Sequence, residues 1–283
     1  MQFTTLIDAA SLAPLVGSPR LVILDCRFDL GAPEAGRQDY LRAHIPSARY
    51  LDLNRDLSAP PTPGSGRHPL PEPFRLAALF GALGIGRETQ AVAYDEVNGS
   101  FAARAWWLLR WLGHDRAAVL DGGLGAWLAA GGPVESGEPR APARPAAFTP
   151  RVDAAAVVST AQLVEALADR RRLLVDARAP ERFAGRVEPI DPVAGHIPGA
   201  VNHPFSANLR PDGRFLPERE LARRWHERLR STAPGDVIAM CGSGVTACHD
   251  LLAMSLAGLP GAKLYAGSWS EWIRDPARPV ERG

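Results

Sequence analysis

Cysteine is scarce in this chain of 283 residues, which contains only Cys26, Cys241 and Cys248. Three cysteines at such uneven spacing are too few to build a disulfide framework in a chain of this size. We therefore expect reduced thiols, which are the usual state of cysteine in a cytoplasm.

An excess of charge of either sign is also lacking. The chain has 32 Lys and Arg residues against 31 Asp and Glu residues, which leaves a formal net charge of +1. Because electrostatic binding to nucleic acid depends on a clear excess of basic residues, this balance argues against a nucleic-acid partner.

Long apolar runs are missing as well. Nowhere do about 18 apolar residues follow one another, the length that a membrane-spanning helix needs. The first residues, Met-Gln-Phe-Thr-Thr-Leu-Ile-Asp, combine neither a basic region nor an uninterrupted apolar run. We therefore expect no membrane span and no export signal, and a cytoplasmic location.

The chain contains an internal repeat, in which short motifs recur at an offset of roughly 145 to 152 residues. We therefore predict two copies of one fold, over residues 1–132 and 157–283. A stretch rich in Pro, Ala and Gly without periodicity predicts a linker over 133–156. The matching motifs are Asp-x-Arg at 25–27 and 176–178, His-Ile-Pro at 44–46 and 196–198, and tryptophan-containing turns at 120–127 and 265–272.

Short apolar runs alternate with segments of helical periodicity in both copies. The runs have the length of fully buried strands, and the segments between them place apolar residues three and four apart. This alternation predicts an α/β fold in which each domain is a mostly parallel sheet flanked by helices, with active loops at the carboxyl ends of strands. The predicted strands are 21–24, 92–94, 173–175 and 237–240, and the predicted helices are 102–112, 159–170, 218–229 and 246–256.

Cys241 lies in a glycine-rich loop that directly follows a predicted buried strand and directly precedes a predicted helix. Such a loop can turn successive backbone N–H groups toward one centre, and the helix adds the positive end of its dipole. Both effects favour the thiolate, which is the nucleophilic form of cysteine. The alternative is a buried cysteine with a purely structural role. The residues of the predicted anion-binding nest are Gly242, Ser243, Gly244, Val245 and Thr246.

A phosphatase loop of the Cys-x5-Arg type is the nearest alternative, because it also holds an anion at the start of a helix. Here Ala247 occupies the position of its arginine. Without a guanidinium to bind phosphate through two hydrogen bonds, phosphoryl transfer is the weaker interpretation. Attack of a thiolate on a polarisable sulfur atom needs no such group.

The repeat, the His-Ile-Pro motifs, the Asp-Gly-Gly and Gly-Ser-Trp turns and the loop Cys-Gly-Ser-Gly-Val-Thr-Ala-Cys resemble the rhodanese superfamily over nearly the whole chain. Among two-domain members, the loop is similar to that of 3-mercaptopyruvate sulfurtransferases, whereas thiosulfate sulfurtransferases typically carry a basic pair after the cysteine. The resemblance implies that Cys241 accepts sulfur from a small anionic donor and that a thiol, thioredoxin or cyanide removes it. It implies no metal and no organic cofactor.

The resemblance also suggests which residues bind the donor. The family's donor-binding arginine matches Arg182, whose guanidinium would pair with the acidic oxygens of the donor. A second arginine of mercaptopyruvate enzymes follows a Glu-Pro-x-Pro segment, but this chain reads Glu-Pro-Ile-Asp-Pro at 188–192. Arg186 is the nearest replacement.

Mercaptopyruvate enzymes also use a Ser, a His and an acidic residue to move protons. Ser243 matches the serine, and His68 matches the histidine that precedes a Leu-Pro pair. The acidic residue would fall on Asn54, so that an amide stands where a carboxylate is usual. Asp52 or Asp56 could take its place.

Asp95 occupies the position in the first copy that Cys241 occupies in the second. Because an aspartate cannot carry a persulfide, we expect the N-terminal copy to be catalytically inactive. Two further functions stay open: a thiosulfate:cyanide sulfurtransferase that uses the same nucleophile, and a sulfur-relay module that hands its persulfide to a partner protein.

Residues that recur in both copies are expected to be structural, because only one copy has a nucleophile. Asp25 with Arg27 and Asp176 with Arg178 should form ion pairs at strand ends. Side chains expected in the core or otherwise in structural roles are His44, His196, Cys26, Cys248, Trp106, Trp107 and Trp111.

Overall fold

The computed structural model describes residues 2–139, 144–169 and 172–283. These residues form two compact units, which we call unit 1 and unit 2. Residues 140–143 of the predicted linker and residue 170 of the predicted helix 159–170 lie outside the described residues. Unit 1 comprises Met1–Ala59, Pro71–Asp153 and Arg210–Phe215, and unit 2 comprises Pro60–Leu70, Ala154–Leu209 and Leu216–Gly283.

Unit 1 is a parallel sheet with helices, and in its described residues the sheet has five strands in the order β1-β5-β4-β2-β3. Its elements are β1 (Leu6–Ile7), α1 (Ala9–Leu12), β2 (Leu21–Asp25), α2 (Ala35–Arg42), β3 (Arg49–Tyr50), α3 (Pro73–Ala82), β4 (Gln90–Tyr94), α4 (Ala102–Trp111), β5 (Ala117–Leu120) and α5 (Gly123–Ala129), with a 3₁₀ turn at Ala13–Leu15.

The central strand β4 is buried at every position, as its apolar run 92–94 predicts for a parallel sheet covered on both faces. Helix α4 is buried along nearly its whole length. Trp106, Trp107 and Trp111 on this helix are at most 8% exposed, which confirms that they pack in the core. The runs 92–94 and 237–240 are fully buried strands, as predicted, and the runs 21–24 and 173–175 are strands whose first residues are half-buried.

Unit 2 repeats this architecture, and its described residues form a four-stranded parallel sheet in the order β7-β6-β8-β9. Its elements are α6 (Thr160–Asp169), β6 (Leu173–Asp176), α7 (Pro180–Phe183), β7 (Val201–Asn202), α8 (Glu218–Leu229), β8 (Val237–Met240), α9 (Ala247–Leu256), β9 (Lys263–Leu264) and α10 (Ser268–Trp272), with 3₁₀ turns at Ala154–Ala156, Phe205–Asn208 and Pro234–Asp236. No helix within the described ranges is long and apolar enough to cross a bilayer.

Each unit contains its own copy of the ion pair that the Asp-x-Arg motif predicts. Arg27 Nη2 lies 2.6 Å from Asp25 Oδ2, and Arg178 Nη2 lies 2.7 Å from Asp176 Oδ2. All four side chains are buried, so each pair is shielded from water and is fixed by several hydrogen bonds. The predicted strand-end ion pairs are confirmed.

Residues 144–153 of the predicted linker belong to unit 1, whereas its residues 154–156 belong to unit 2. The N–H of Ala146 donates to the carbonyl of Gly81 at 2.9 Å, beside α3. Further along, Arg151 and Asp153 donate their backbone N–H groups to carbonyls at the end of α4, at 2.8 and 2.9 Å. These backbone hydrogen bonds attach the segment to the helices of unit 1.

Candidate active site

Cys241 follows β8 directly, at the carboxyl end of a central strand of the unit 2 sheet. The loop after it curls back, so that the N–H of Gly244 donates to Cys241 Sγ at 3.1 Å. Helix α9 then begins at Ala247, with Thr246 as its N-cap residue. A backbone donor and a helix N-terminus therefore lie beside the sulfur, and both favour negative charge on it.

Gly244 is required by the shape of this loop. Its backbone has φ of +76°, in the left-handed region that glycine adopts without strain. A Cβ at this position would lie 2.5 Å from the carbonyl oxygen of Ala266, far inside contact distance. Glycine is thus required at position 244 both by the positive φ and by the close approach of the Ala266 carbonyl.

The segment from 267 to 270 holds the loop from the other side. The N–H of Cys241 donates to Ser268 Oγ at 3.1 Å, and the carbonyl of Cys241 accepts from Trp269 N–H at 3.1 Å. The carbonyl of Gly242 accepts from Ser270 N–H at 2.9 Å. Because these bonds use backbone groups at both ends of Cys241, they fix the direction of its side chain.

Ser243 and His68 meet in unit 2, as the family resemblance implies. His68 Nδ1 lies 2.7 Å from Ser243 Oγ, and both residues are buried, at 4% and 6% exposure. The neighbouring backbone is fixed as well, since the N–H of Arg67 donates to Ser270 Oγ at 3.0 Å. A hydroxyl two residues from the nucleophile is therefore in contact with an imidazole that can accept or supply a proton.

Arg182 lies at α7, near the same loop. Its Nε and Nη2 donate to Glu188 at 2.7 to 3.1 Å, and Nη2 also contacts Asp191 at 3.1 Å. Burial raises the pKa of Glu188, but the hydrogen bonds and charge of Arg182, together with the backbone N–H groups of Asp191 and Ile190, hold that pKa below its ordinary value. Glu188 is thus a stable anion that orients the guanidinium.

Arg67 is a second guanidinium at the loop, and the sequence analysis did not identify it. Its Nη1 pairs with Asp191, so that one carboxylate links Arg67 and Arg182. Burial raises the pKa of Asp191, although the charge of Arg67 opposes this shift. A Cβ at Gly242 would lie 2.9 Å from Arg67 Nη2 and 3.6 Å from both Nη atoms of Arg182. Because Gly242 has no side chain, both guanidinium groups can approach the backbone next to Cys241.

The remaining predicted residues occupy different environments. Arg186 is exposed in the turn after α7, where its N–H donates to the carbonyl of Glu181 at 2.9 Å. Val245 is buried at the start of α9. Cys248 is fully buried and its thiol donates to the carbonyl of Gly244 at 3.4 Å, in agreement with its expected structural role. The donor contact expected of Arg186 stays a prediction.

The three candidates for the acidic residue lie in unit 1. Asp52 Oδ1 accepts the backbone N–H groups of Asn54 and Arg55, at 2.8 and 2.9 Å. Asp56 Oδ2 accepts the N–H of Asp52 at 2.8 Å. Both carboxylates therefore stabilise the backbone of their own loop, and their support of His68 stays a prediction.

The loop of unit 1 that corresponds to the Cys241 loop is built around Asp95. Its carboxylate accepts the backbone N–H groups of Gly99, Phe101 and Ala102 at 2.9 to 3.1 Å. Burial raises the pKa of Asp95, and these three hydrogen bonds oppose that shift. An anion nest thus exists in the first copy too, but a side chain of the protein occupies it.

A buried polar network lies beside α9. Asn208 Oδ1 accepts from His203 Nε2 at 3.0 Å and from the indole of Trp225 at 3.1 Å, while its amide nitrogen donates to Asp250 Oδ1 at 2.7 Å. Burial lowers the pKa of His203 to about 4. Burial raises the pKa of Asp250, and the hydrogen bond from Asn208 opposes this shift.

This chain is similar to known proteins over most of its length. The model of the family described as "Rhodanese-like domain" matches residues 8–130 and 159–275. A protein of Pseudomonas aeruginosa named probable 3-mercaptopyruvate sulfurtransferase is 51% identical over 285 residues, covering 100% of both chains. A putative thiosulfate sulfurtransferase of Mycobacterium tuberculosis is 41% identical, covering 98% of this chain and 97% of its own length.

A solved structure shows the same architecture. The 3-mercaptopyruvate sulfurtransferase of Leishmania major superimposes with a TM-score of 0.84 at 32% identity. The match covers 96% of this chain and 76% of that protein. The similarity thus extends over both copies of the fold.

Proposed function

Since the chain belongs to the rhodanese family and is a sulfurtransferase, we propose that Cys241 takes a sulfur atom from 3-mercaptopyruvate and passes it on as a persulfide. The observation that carries this proposal is the contact of 2.7 Å between His68 Nδ1 and Ser243 Oγ, two residues from the nucleophile. A donor whose leaving group must be protonated needs such a pair, whereas thiosulfate releases sulfite without needing a proton.

In the first step the Cys241 thiolate attacks the sulfur of the donor. A sulfur–sulfur bond forms and the carbon–sulfur bond of the donor breaks, with its electron pair going to carbon. The enolate of pyruvate results, and the proton that was on the donor thiol reaches it through Ser243 and His68. One thiolate and one mercapto acid thus give one persulfide anion and pyruvate, with no external oxidant or reductant.

The nest supports the charge on the outer sulfur. The N–H of Gly244 already donates to Cys241 Sγ, and the N-terminus of α9 carries a partial positive charge. Both groups would also stabilise the negative charge of a persulfide on Cys241. Arg182, oriented by Glu188, is placed to pair with the carboxylate of the donor.

In the second step an acceptor removes the outer sulfur. We propose a small thiol, thioredoxin or cyanide, because each is a nucleophile that can attack a sulfane sulfur and leave the Cys241 thiolate behind. Within the described residues, none of Cys26, Cys241 and Cys248 forms a disulfide bond. A cytoplasmic location fits this cycle, since a reducing compartment keeps the nucleophile as a thiol.

We further propose that the first copy is catalytically inactive. The proposed boundaries are 1–132 for this copy, 133–156 for the linker and 157–283 for the second copy. Asp95 supplies a carboxylate where Cys241 supplies a thiol, and that carboxylate is bonded to its own loop. One reaction site per chain follows.

A thiosulfate:cyanide sulfurtransferase is the second candidate. It is favoured by the relative from Mycobacterium tuberculosis that is named for thiosulfate, and by two guanidiniums that could bind a sulfonate-like group.

Steady-state sulfur transfer from 3-mercaptopyruvate and from thiosulfate, measured side by side, tests the proposal. We expect at least a tenfold preference in kcat/KM for mercaptopyruvate (about 1.4 kcal/mol) and no activity in Cys241→Ser. A preference for thiosulfate would contradict the proposed donor. Activity that survives in the variant would contradict the nucleophile itself.

A further inference from the structure

Asp191 lies between two guanidiniums beside the Cys241 loop. Its Oδ1 pairs with Arg67 Nη1, and its Oδ2 accepts from Arg182 Nη2 at 3.1 Å. We propose that Asp191 is a specificity-determining residue, whose negative charge disfavours dianionic sulfur donors such as thiosulfate. This inference rests on the proposed function and gives a physical reason for the preference for a monoanionic donor.

The position of Asp191 links its charge to the reacting sulfur. The guanidiniums that it contacts both reach the backbone beside the nucleophile, since a Cβ at Gly242 would lie 2.9 Å from Arg67 Nη2 and 3.6 Å from both Nη atoms of Arg182. Gly242 follows Cys241 directly. An anionic donor whose sulfur reaches Cys241 therefore lies close to both cations and to the carboxylate between them.

The carboxylate of Asp191 is shielded from water. Its side chain is 3% exposed, whereas the side chains of Arg67 and Arg182 are 26% and 17% exposed. Charges removed from water interact more strongly, because solvent and salt screen them less. The charge of Asp191 therefore acts on a bound donor more strongly than that of an exposed carboxylate would.

The charges in this cluster cancel. Glu188 accepts from Nε and Nη2 of Arg182 at 2.7 to 3.1 Å, and Asp191 contacts both arginines. Two carboxylates thus face two guanidiniums, and the four side chains carry no net charge. Because no positive charge is left over, the second negative charge of thiosulfate raises the cost of binding without any compensation.

Asp191 and Glu188 differ in what else they hold. Glu188 also accepts the backbone N–H groups of Ile190 and Asp191, at 3.1 and 3.2 Å, so it shapes the loop. The side-chain hydrogen bonds of Asp191 within the described ranges go to the two guanidiniums. Substitution of Asp191 therefore changes the charge of the cluster while the contacts of Glu188 with the backbone remain.

The test measures anion binding without any sulfur donor, through protection of Cys241 from alkylation by iodoacetamide. Sulfate is the dianionic probe and pyruvate the monoanionic probe, at constant ionic strength and about pH 8, where carboxyl groups are ionised. Loss of one negative charge stabilises a dianion twice as much as a monoanion in the same place. In Asp191→Asn we therefore expect the ratio of the sulfate Kd to the pyruvate Kd to fall by about tenfold or more.

Further variants separate charge from structure. Asp191→Ala should lower the ratio as Asp191→Asn does, whereas Asp191→Glu keeps the charge and should keep the wild-type ratio. Asp236→Asn removes the same charge from an exposed position before β8 and should leave both Kd values unchanged. If both Kd values of Asp191→Asn rise by the same factor, Asp191 only orients the guanidiniums and the inference is overturned. Absence of sulfate protection in that variant would overturn it too.

Steady-state turnover extends the test to the reaction. In Asp191→Asn the kcat/KM for thiosulfate, relative to that for 3-mercaptopyruvate, should rise by about tenfold. An unchanged ratio would contradict the role of Asp191. A wild-type protein that prefers thiosulfate would contradict the proposed donor instead, and the binding of sulfate and pyruvate, which involves no donor, would still decide the role of Asp191.

Discussion

His68 Nδ1 lies 2.7 Å from Ser243 Oγ, although 175 positions separate these residues in the chain. The segment Pro60–Leu70, which carries His68, belongs to the same compact unit as the Cys241 loop. Burial of both side chains excludes water from the contact and strengthens the hydrogen bond. The serine hydroxyl is thereby held in one orientation, two residues after the nucleophile.

Removal of the serine hydroxyl should affect the two donors unequally. In Ser243→Ala we expect kcat/KM for 3-mercaptopyruvate to fall by about 100-fold or more, because proton transfer to the leaving enolate contributes at least that much. Turnover of thiosulfate should change by less than about fivefold, since sulfite leaves without protonation. Steady-state kinetics with both donors measure this difference.

His68→Asn serves as the companion variant, and it should show the same selectivity for the donor. An equal loss with both donors in Ser243→Ala would contradict a role in proton transfer and would indicate that Ser243 only supports the loop.

Gly244→Ala should reduce activity by more than the backbone strain of an alanine at positive φ can explain. Gly258 is the matched control, because it has φ of +74° against +76° for Gly244, and a Cβ there would meet no atom within 4 Å. In Gly258→Ala we expect a loss of about 1–2 kcal/mol in the free energy of unfolding and normal activity.

In Gly244→Ala the added Cβ would meet Ala266 O at 2.5 Å, so the loop must shift. A shift of this kind costs about 100-fold in kcat/KM. Equal activity of the two variants, measured together with urea unfolding, would show that the loop tolerates the displacement.

The stability of unit 2 should depend on pH through His203. Burial lowers the pKa of this histidine to about 4 in the folded protein, against about 6.5 in an unfolded chain. Between these values the unfolded state binds more protons, so the free energy of unfolding falls as the pH falls from about 6.5 to 4, by about 3 kcal/mol. Urea unfolding at several pH values should show a smaller decline in His203→Gln than in wild type; parallel curves would contradict this origin.

Asp250 should have the opposite dependence. Burial raises the pKa of this carboxyl, so above about pH 4 the folded state binds the proton more tightly than the unfolded state, and stability falls as the pH rises. Asp250→Asn keeps an acceptor for the amide of Asn208, which donates to Asp250 Oδ1 at 2.7 Å, and carries no charge. We expect the variant to be more stable than wild type at pH 8, with the difference shrinking toward pH 4. A variant less stable at pH 8 would show that Asp250 is needed as an anion.

Much of the fold could be predicted because the determining signals are local. The run Val237–Met240 is apolar throughout and is a fully buried strand, and the amphipathic segment Glu218–Leu229 is a helix with the predicted bounds. The position of Cys241 between a strand and a helix is likewise a short-range property of the sequence.

The environment of Arg67 could not be predicted, because it depends on a tertiary contact. Its pairing with Asp191 spans 124 positions, and no periodicity or motif near Arg67 indicates that partner. The sequence points instead to Arg186, the arginine nearest to the Glu-Pro-Ile-Asp-Pro segment, whereas the structure places Arg67 beside Gly242. Proximity along the chain did not identify the arginine that lies beside Gly242.

The central claim is that Cys241 carries the transferred sulfur as a persulfide. Its most direct test is the mass of the intact protein after brief incubation with 3-mercaptopyruvate and no acceptor, followed by peptide mapping. We predict a gain equal to one sulfur atom on the peptide that contains Cys241, absent in Cys241→Ser and lost when cyanide is added. A protein of unchanged mass that still forms pyruvate, or a sulfur atom located on Cys26 or Cys248, would contradict the account.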